Sequence, residues 1–167
     1  GSIDEICNGE IGWSLSGNGG TDPSQLFLGT TDNRPVAFRA NNMERMRLGT
    51  DGSLSFNGLG NSIFIGSAAG EKDNRSANRN VFIGDSAGYM NESGRYNIAL
   101  GYRSLFSSTN AFYNVALGFE ALHRNQGSYN VANGFPALFS NQNGEFNTAQ
   151  GYAALLYNSN GSLNTGN

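Results

Sequence analysis

The tightest constraint on this chain is a glycine that returns on a nearly fixed beat. Gly66, Gly84, Gly101, Gly118, Gly134 and Gly151 follow one another at steps of 18, 17, 17, 16 and 17 residues. They close the phrases NSIFIG, NVFIG, NIALG, NVALG, NVANG and NTAQG. A unit this short cannot bury a face alone, so each copy must stack on its neighbours. Function is then to be sought on the outside of a stack.

Reading backward from each closing glycine turns the beat into columns. The third residue back is always β-branched: Ile63, Val81, Ile98, Val115, Val131 and Thr148. Such residues suit a strand on a pleated surface. The fourth back is Asn80, Asn97, Asn114, Asn130, Asn147 and Asn164, with Ser62 in the first copy. Parallel strands stand about 4.8 Å apart, close enough for amides to bond along the stack, so an asparagine ladder is expected. Seven back stand Gly94, Gly127, Gly144 and Gly161, with Ala111 the exception, in turn contexts where positive φ is expected.

Forward of the glycine come Tyr102, Phe119, Phe135 and Tyr152, and four after it Leu105, Leu122, Leu138 and Leu155. With Phe106, Phe139 or Leu156 next in line, this i, i+3, i+4 pattern suits a short helical turn and a second strand equally. Seventeen extended residues cover about 56 Å, a flattened loop, and six coils at one strand spacing each rise about 29 Å. The expected fold is mainly β: parallel β-roll or β-solenoid repeats of 17 residues, with room for short helical turns.

Residues 3–58 lack the repeat and read as a small all-β connector. Its short apolar runs, among them Val36–Ala40 and Glu44–Leu48, are separated by turns at Asn33-Arg34-Pro35, Asn41-Asn42 and Asp51-Gly52. About 55 residues with few large apolar side chains are marginal alone, so the module is expected to dock or oligomerise. The repeat array is expected over 59–167, six copies and the start of a seventh. Gly1-Ser2 reads as a cloning scar, and the chain as a fragment of a longer protein.

Composition removes several function classes. A net charge of -3 with scattered arginines argues against a nucleic-acid partner. No apolar run reaches 18 residues, so no direct membrane insertion is expected. With 24 glycines and 3 prolines in 167 residues and aromatics recurring in register, the chain is a folded array rather than a disordered tract. Cys7 and His123 are single, which excludes an intrachain disulfide and a histidine-rich metal site. No metal and no cofactor are expected.

Catalytic residues are expected to be none. No acid recurs in a column, although Asp85 and neighbouring turn acids would be the first candidates for a carboxylate pair. The charged stretch Glu71–Arg79 reads as a solvated turn or a ligand loop. An ice-binding solenoid would need a regular threonine array, and only Thr148 and Thr165 align. Recognition is better sought where exposed columns vary. Arg95, Arg103 and Glu120 are such positions. Phe112 replaces a polar turn residue and with Tyr113 would make an aromatic platform for a sugar ring or a neighbouring chain.

The residue before the glycine shares a face with the β-branched column, and there Ile65, Ile83, Leu100 and Leu117 give way to Asn133, Gln150 and Asn167. Facing a threefold axis, these amides would bond to their symmetry mates. Alternatively the column opens to solvent at its later end.

NSIFIG and NVFIGDSAG resemble the S-V-A-I-G repeats of trimeric autotransporter adhesin heads, and NVALGFEAL and NTAQGYAAL resemble repeats of bacterial surface fibres and phage-like tail fibres. The stretch GTTDNRPVAFRANNMERMRLGTDGSL looks like the β-rich connector of such fibres. The resemblance implies an intertwined or side-by-side homotrimer, extracellular on a bacterial surface or a phage-like particle, that binds a glycan or protein on a target cell. The expected function is a non-enzymatic adhesin or receptor-binding fibre segment. A tailspike-like enzyme acting on surface polysaccharide is the alternative.

Overall fold

The computed structural model describes residues 28–56 and 60–167; Cys7, the runs before residue 28 and the boundary expected at 58–59 lie outside them. The described residues fall into two compact units, the first ending at Ser55 and the second running from Phe56 to Asn167.

In the first unit β1 (Val36–Ala40), β2 (Met43–Leu48) and β3 (Leu54–Phe56) form a sheet in chain order. Asn41 and Asn42 join β1 to β2 antiparallel with φ of 51° and 54°. A two-residue hairpin of this twist needs positive φ at both places, which Asn tolerates. Leu28 and Gly29 are irregular. No residue from 28 to 56 is buried. A sheet this small with open faces is marginally stable by itself.

The second unit is a β-solenoid. Strands β4 (Ile63–Ile65), β5 (Val81–Ile83), β6 (Ile98–Leu100), β7 (Val115–Leu117), β8 (Val131–Asn133), β9 (Thr148–Gln150) and β10 (Thr165–Gly166) form one parallel sheet in chain order. Register follows the repeat: Ile63 faces Val81, Val81 faces Ile98, and so on to Thr148 facing Thr165. The middle residue of each strand points inward, so Phe82, Ala99, Ala116, Ala132 and Ala149 are fully buried.

The other half of each coil is neither helix nor strand. Residues two and four after the closing glycine are left-handed except at Pro136, with φ of 51° and 53° at Arg103 and Leu105, and 53° and 52° at Glu120 and Leu122. A reversal at every second residue breaks both regular forms. Each non-glycine there costs about 1–2 kcal/mol. Two gains offset it. Leu105, Leu122 and Leu138 enter the core completely. Successive coils also bond through this region, as where Leu105 N donates to Ala121 O at 2.9 Å and Leu122 N to Ala137 O at 3.0 Å.

Pro136 stands where the column needs a donor. Arg103 N bonds Asp85 O, Glu120 N bonds Tyr102 O and Ala153 N bonds Phe135 O. A proline has no N–H, so Phe119 O loses the equivalent bond.

The closing glycines are required twice over. At Gly84 φ is 129°, and a Cβ would lie 2.7 Å from the carbonyl of Gly101 in the next coil. The glycines seven residues before them differ from expectation: Gly94, Gly127, Gly144 and Gly161 do not have positive φ. Their constraint is space. A Cβ on Gly94 would collide with Asn91 Oδ1 and Ala111 O.

The expected asparagine ladder forms, and all of Asn80, Asn97, Asn114, Asn130 and Asn147 are buried. Each side-chain oxygen accepts from the backbone N–H of the next asparagine, as from Asn97 N to Asn80 Oδ1 at 2.9 Å and Asn114 N to Asn97 Oδ1 at 3.0 Å. Each amide nitrogen reaches the carbonyl seven before the next glycine: Gly94 from Asn80, Ala111 from Asn97, Gly127 from Asn114. The ladder therefore clamps the turn as well as the stack.

Candidate functional site

Outside the strands, the alternation that buries the middle residue exposes its neighbours. Ile65, Ile83, Ile98, Leu100 and Val131 are between 37% and 45% exposed. The polar residues Asn133, Gln150 and Asn167 continue the same outward column and are exposed. Tyrosines and phenylalanines flank this apolar strip on both sides.

Five residues before the glycine, Tyr96, Tyr113, Tyr129 and Phe146 stack at 4.9, 5.2 and 4.8 Å between ring centroids, with planes within 15°. One residue after it, Tyr102 stacks on Phe119 at 5.0 Å, and Phe119, Phe135 and Tyr152 continue edge to face. A third column five residues after it runs Tyr89, Phe106, His123 and Phe139, all stacked near 5 Å. The strict period puts like rings one coil apart, so a sequence column becomes a ladder. Each such pair contributes about 0.5–1.5 kcal/mol beyond its buried area.

The residues singled out by sequence separate into two places. Arg95, Phe112 and Tyr113 come together with Ser93, Tyr96 and Asn110 around a cleft of about 420 Å³. Phe112 stands perpendicular to the tyrosine ladder, 5.8 Å from Tyr113 and 5.5 Å from Tyr129. Its backbone N–H donates to Ser128 Oγ at 3.2 Å, which fixes the turn that presents it. Ser93 Oγ donates to Asn110 Oδ1 at 2.7 Å across the coil boundary.

Arg103 and Glu120 lie elsewhere. The Arg103 guanidinium covers the rings of Tyr102 and Phe106, at 5.2 and 5.3 Å. Glu120 lies near His123, whose imidazole is held below its ordinary pKa by burial; Glu120 works against that shift, while Arg124 and Arg103 add to it. His123 Nδ1 is buried without a partner. The neutral ring thus acts as one rung of an aromatic ladder.

The charged stretch Glu71–Arg79 is less solvated than expected. Asp73 is buried: Oδ2 accepts from Asn78, Asn80 and Asn91 at 3.1, 3.2 and 2.9 Å, and Oδ1 from Arg75 N at 2.7 Å. It heads a second inner polar column, seven residues after each glycine, formed by Asp73, Asn91, Ser108, Asn125, Asn141 and Asn158. The sequence reading missed this column, although its asparagines are in register. Asp85, first candidate for a carboxylate pair, accepts from Ser67 N at 3.0 Å and ties adjacent coils together. Among the described residues no three of His, Cys, Asp and Glu form a group able to hold a metal.

No protein-family model, curated protein or solved structure matches this chain.

Proposed function

We propose that the chain is a non-enzymatic segment of a trimeric fibre, belonging to a cell-surface adhesin or a tail-fibre-like receptor-binding protein. It acts outside the cell, on a bacterial surface or a phage-like particle, and presents a surface for a glycan or protein ligand. One observation carries this reading: the solenoid exposes a sheet face that is apolar over its first four strands and bears amides beyond them.

Seven strands at about 4.8 Å, and the residue steps across from Tyr96 to Tyr102, give a face of roughly 29 by 20 Å, or about 600 Å². It approaches the about 800 Å² that each partner buries in a standard stable interface. Three copies meeting on this face would cover Ile65, Ile83, Ile98 and Leu100, with Asn133, Gln150 and Asn167 as polar layers along the axis. The absence of any buried residue from 28 to 56 supports the same need for a partner surface.

Sedimentation equilibrium tests the reading. The expected mass is three times 17.8 kDa, and a stable monomer at micromolar concentration would refute it. Leu100→Asp combined with Leu117→Asp should release folded monomers, since both side chains point away from the core.

A further inference from the structure

We propose that the cleft formed by Ser93, Arg95, Tyr96, Asn110, Phe112 and Tyr113 binds an acidic pyranose, a uronic-acid unit of a polysaccharide. The inference rests on the fibre reading and names the ligand class of its recognition surface.

Arg95 is the first reason. In the array Arg75 lies over Phe64, Arg79 over Tyr96, Arg103 over Tyr102 and Phe106, and Arg124 over Phe139, at 4.6 to 5.7 Å. Among the described residues Arg95 has no ring, carboxylate or side-chain hydrogen bond of its own. A guanidinium left open in a cleft offers two parallel donors to a carboxylate, a bidentate geometry that a lysine cannot supply.

Phe112 is the second. Rings of the tyrosine ladder are closed by the rings stacked on them, whereas Phe112 makes only perpendicular contacts, with Tyr113 and Tyr129, and no ring is stacked on it. It is 38% exposed. An open aromatic face suits the C–H face of a pyranose, whose hydroxyl edge then needs donors and acceptors. The Ser93–Asn110 pair and the Tyr113 hydroxyl supply them at the same rim. A simple anion would leave Phe112 unused, and a neutral sugar would leave Arg95 unused.

The column itself argues against a purely structural role. Ser128 and Ser162, which occupy the same position in later coils, bond the backbone of the preceding coil, at Phe112 N and Glu145 N. Arg95 and Phe112 replace that small hydroxyl in successive coils. The cleft lies on the turn side of the tyrosine ladder, and Tyr96 is the edge it shares with the strand face assigned to chain association.

The experiment is isothermal titration of the intact chain with tetrasaccharides of galacturonate, glucuronate and mannuronate, beside maltotetraose, tetraglutamate and inorganic sulfate. The variants are Arg95→Ser and Phe112→Ser, which borrow the residue used later in the column, with thermal melting to show that they fold. At least one uronate should bind at submillimolar Kd, each variant should weaken it tenfold or more, and the three controls should bind at least tenfold more weakly. The proposal is overturned if no uronate binds, if both variants bind like the parent, if tetraglutamate matches the uronates, or if Phe112→Ser changes the oligomeric mass. A trimer without uronate binding would remove this site and leave the fibre reading standing. A monomer that binds uronate through Arg95 would do the reverse.

Discussion

Ser108 and Ala111 are exceptions in two different columns, and the structure shows that they are one exception. At three of the paired glycines an asparagine of the first column fills the space that a Cβ would need, as Asn91 does for Gly94, Asn141 for Gly144 and Asn158 for Gly161, while at Gly127 the carbonyl of Gly144 does so. With the shorter Ser108 in place, Ala111 fits. The exchange breaks the ladder: Asn91 Oδ1 and Ser108 Oγ are buried with no partner, whereas Asn141 bonds Asn125 at 2.7 Å and Asn158 bonds Asn141 at 3.1 Å. Ser108→Asn alone should therefore destabilise the fold by collision with the Ala111 methyl. Ser108→Asn with Ala111→Gly should gain about 1–2 kcal/mol over the parent by satisfying the buried acceptor. Denaturant titration of the four proteins in the cycle reads the coupling, and additivity would refute the pairing. His123 makes a second prediction. Burial favours its neutral form in the fold, so the unfolded chain binds the proton more readily. The stabilisation is complete above the ordinary imidazole pKa of 6.5 and is lost as pH falls below it. The Tm should drop between pH 7 and 5, and His123→Phe, which keeps the ring in the ladder, should reduce that drop.

The coil is the element of this fold, and the array holds two kinds. The first two phrases carry Phe64 and Phe82 at the inward strand position, and Gly70 and Gly88 opposite; a Cβ on either glycine would meet the ring. Later coils carry Ala99, Ala116, Ala132 and Ala149 on the strand, with Leu105, Leu122, Leu138 and Leu155 opposite. One large side chain fills each layer, delivered from the strand in early coils and from the turn in late ones. Ala99→Phe should thus cost about 1–3 kcal/mol by overpacking. Adding Leu105→Gly should recover much of it, because glycine also relaxes the left-handed φ of 53° there. A double variant no more stable than Ala99→Phe in thermal melts would refute the exchange. The strands and the asparagine ladder beside them were legible, since β-branching, alternation and register each act at the level of one column. The turn half was not. Its i, i+3, i+4 spacing imitates a helix, while left-handed leucine is a conformation that only stacking and burial make tolerable. The cleft was half legible: Arg95, Phe112 and Tyr113 stood out as departures, but Ser93, Tyr96 and Asn110 reach it through contact between coils.

At the scale of the whole array, stability is a sum over interfaces between consecutive coils. Asn114 serves two of them: Oδ1 accepts from Asn130 N at 3.0 Å, and Nδ2 donates to Asn97 Oδ1 and Gly127 O at 3.2 and 3.1 Å. Asn114→Ala should cost about 2–3 kcal/mol by orphaning buried groups. Hydrogen exchange should show the loss concentrated in the coils on either side, and uniform loss along the chain would contradict the nearest-neighbour picture. Pro136 has a different consequence. A stack of coils under tension carries load through bonds arranged in series, so the least resistant boundary sets the force at which it yields. The boundary where Phe119 O finds no N–H lacks the one rung that Arg103, Glu120 and Ala153 each supply at theirs. Stretched from its ends, the Pro136→Ala stack should hold that boundary to a higher force than the parent, and an unchanged force there would refute the role of the missing rung.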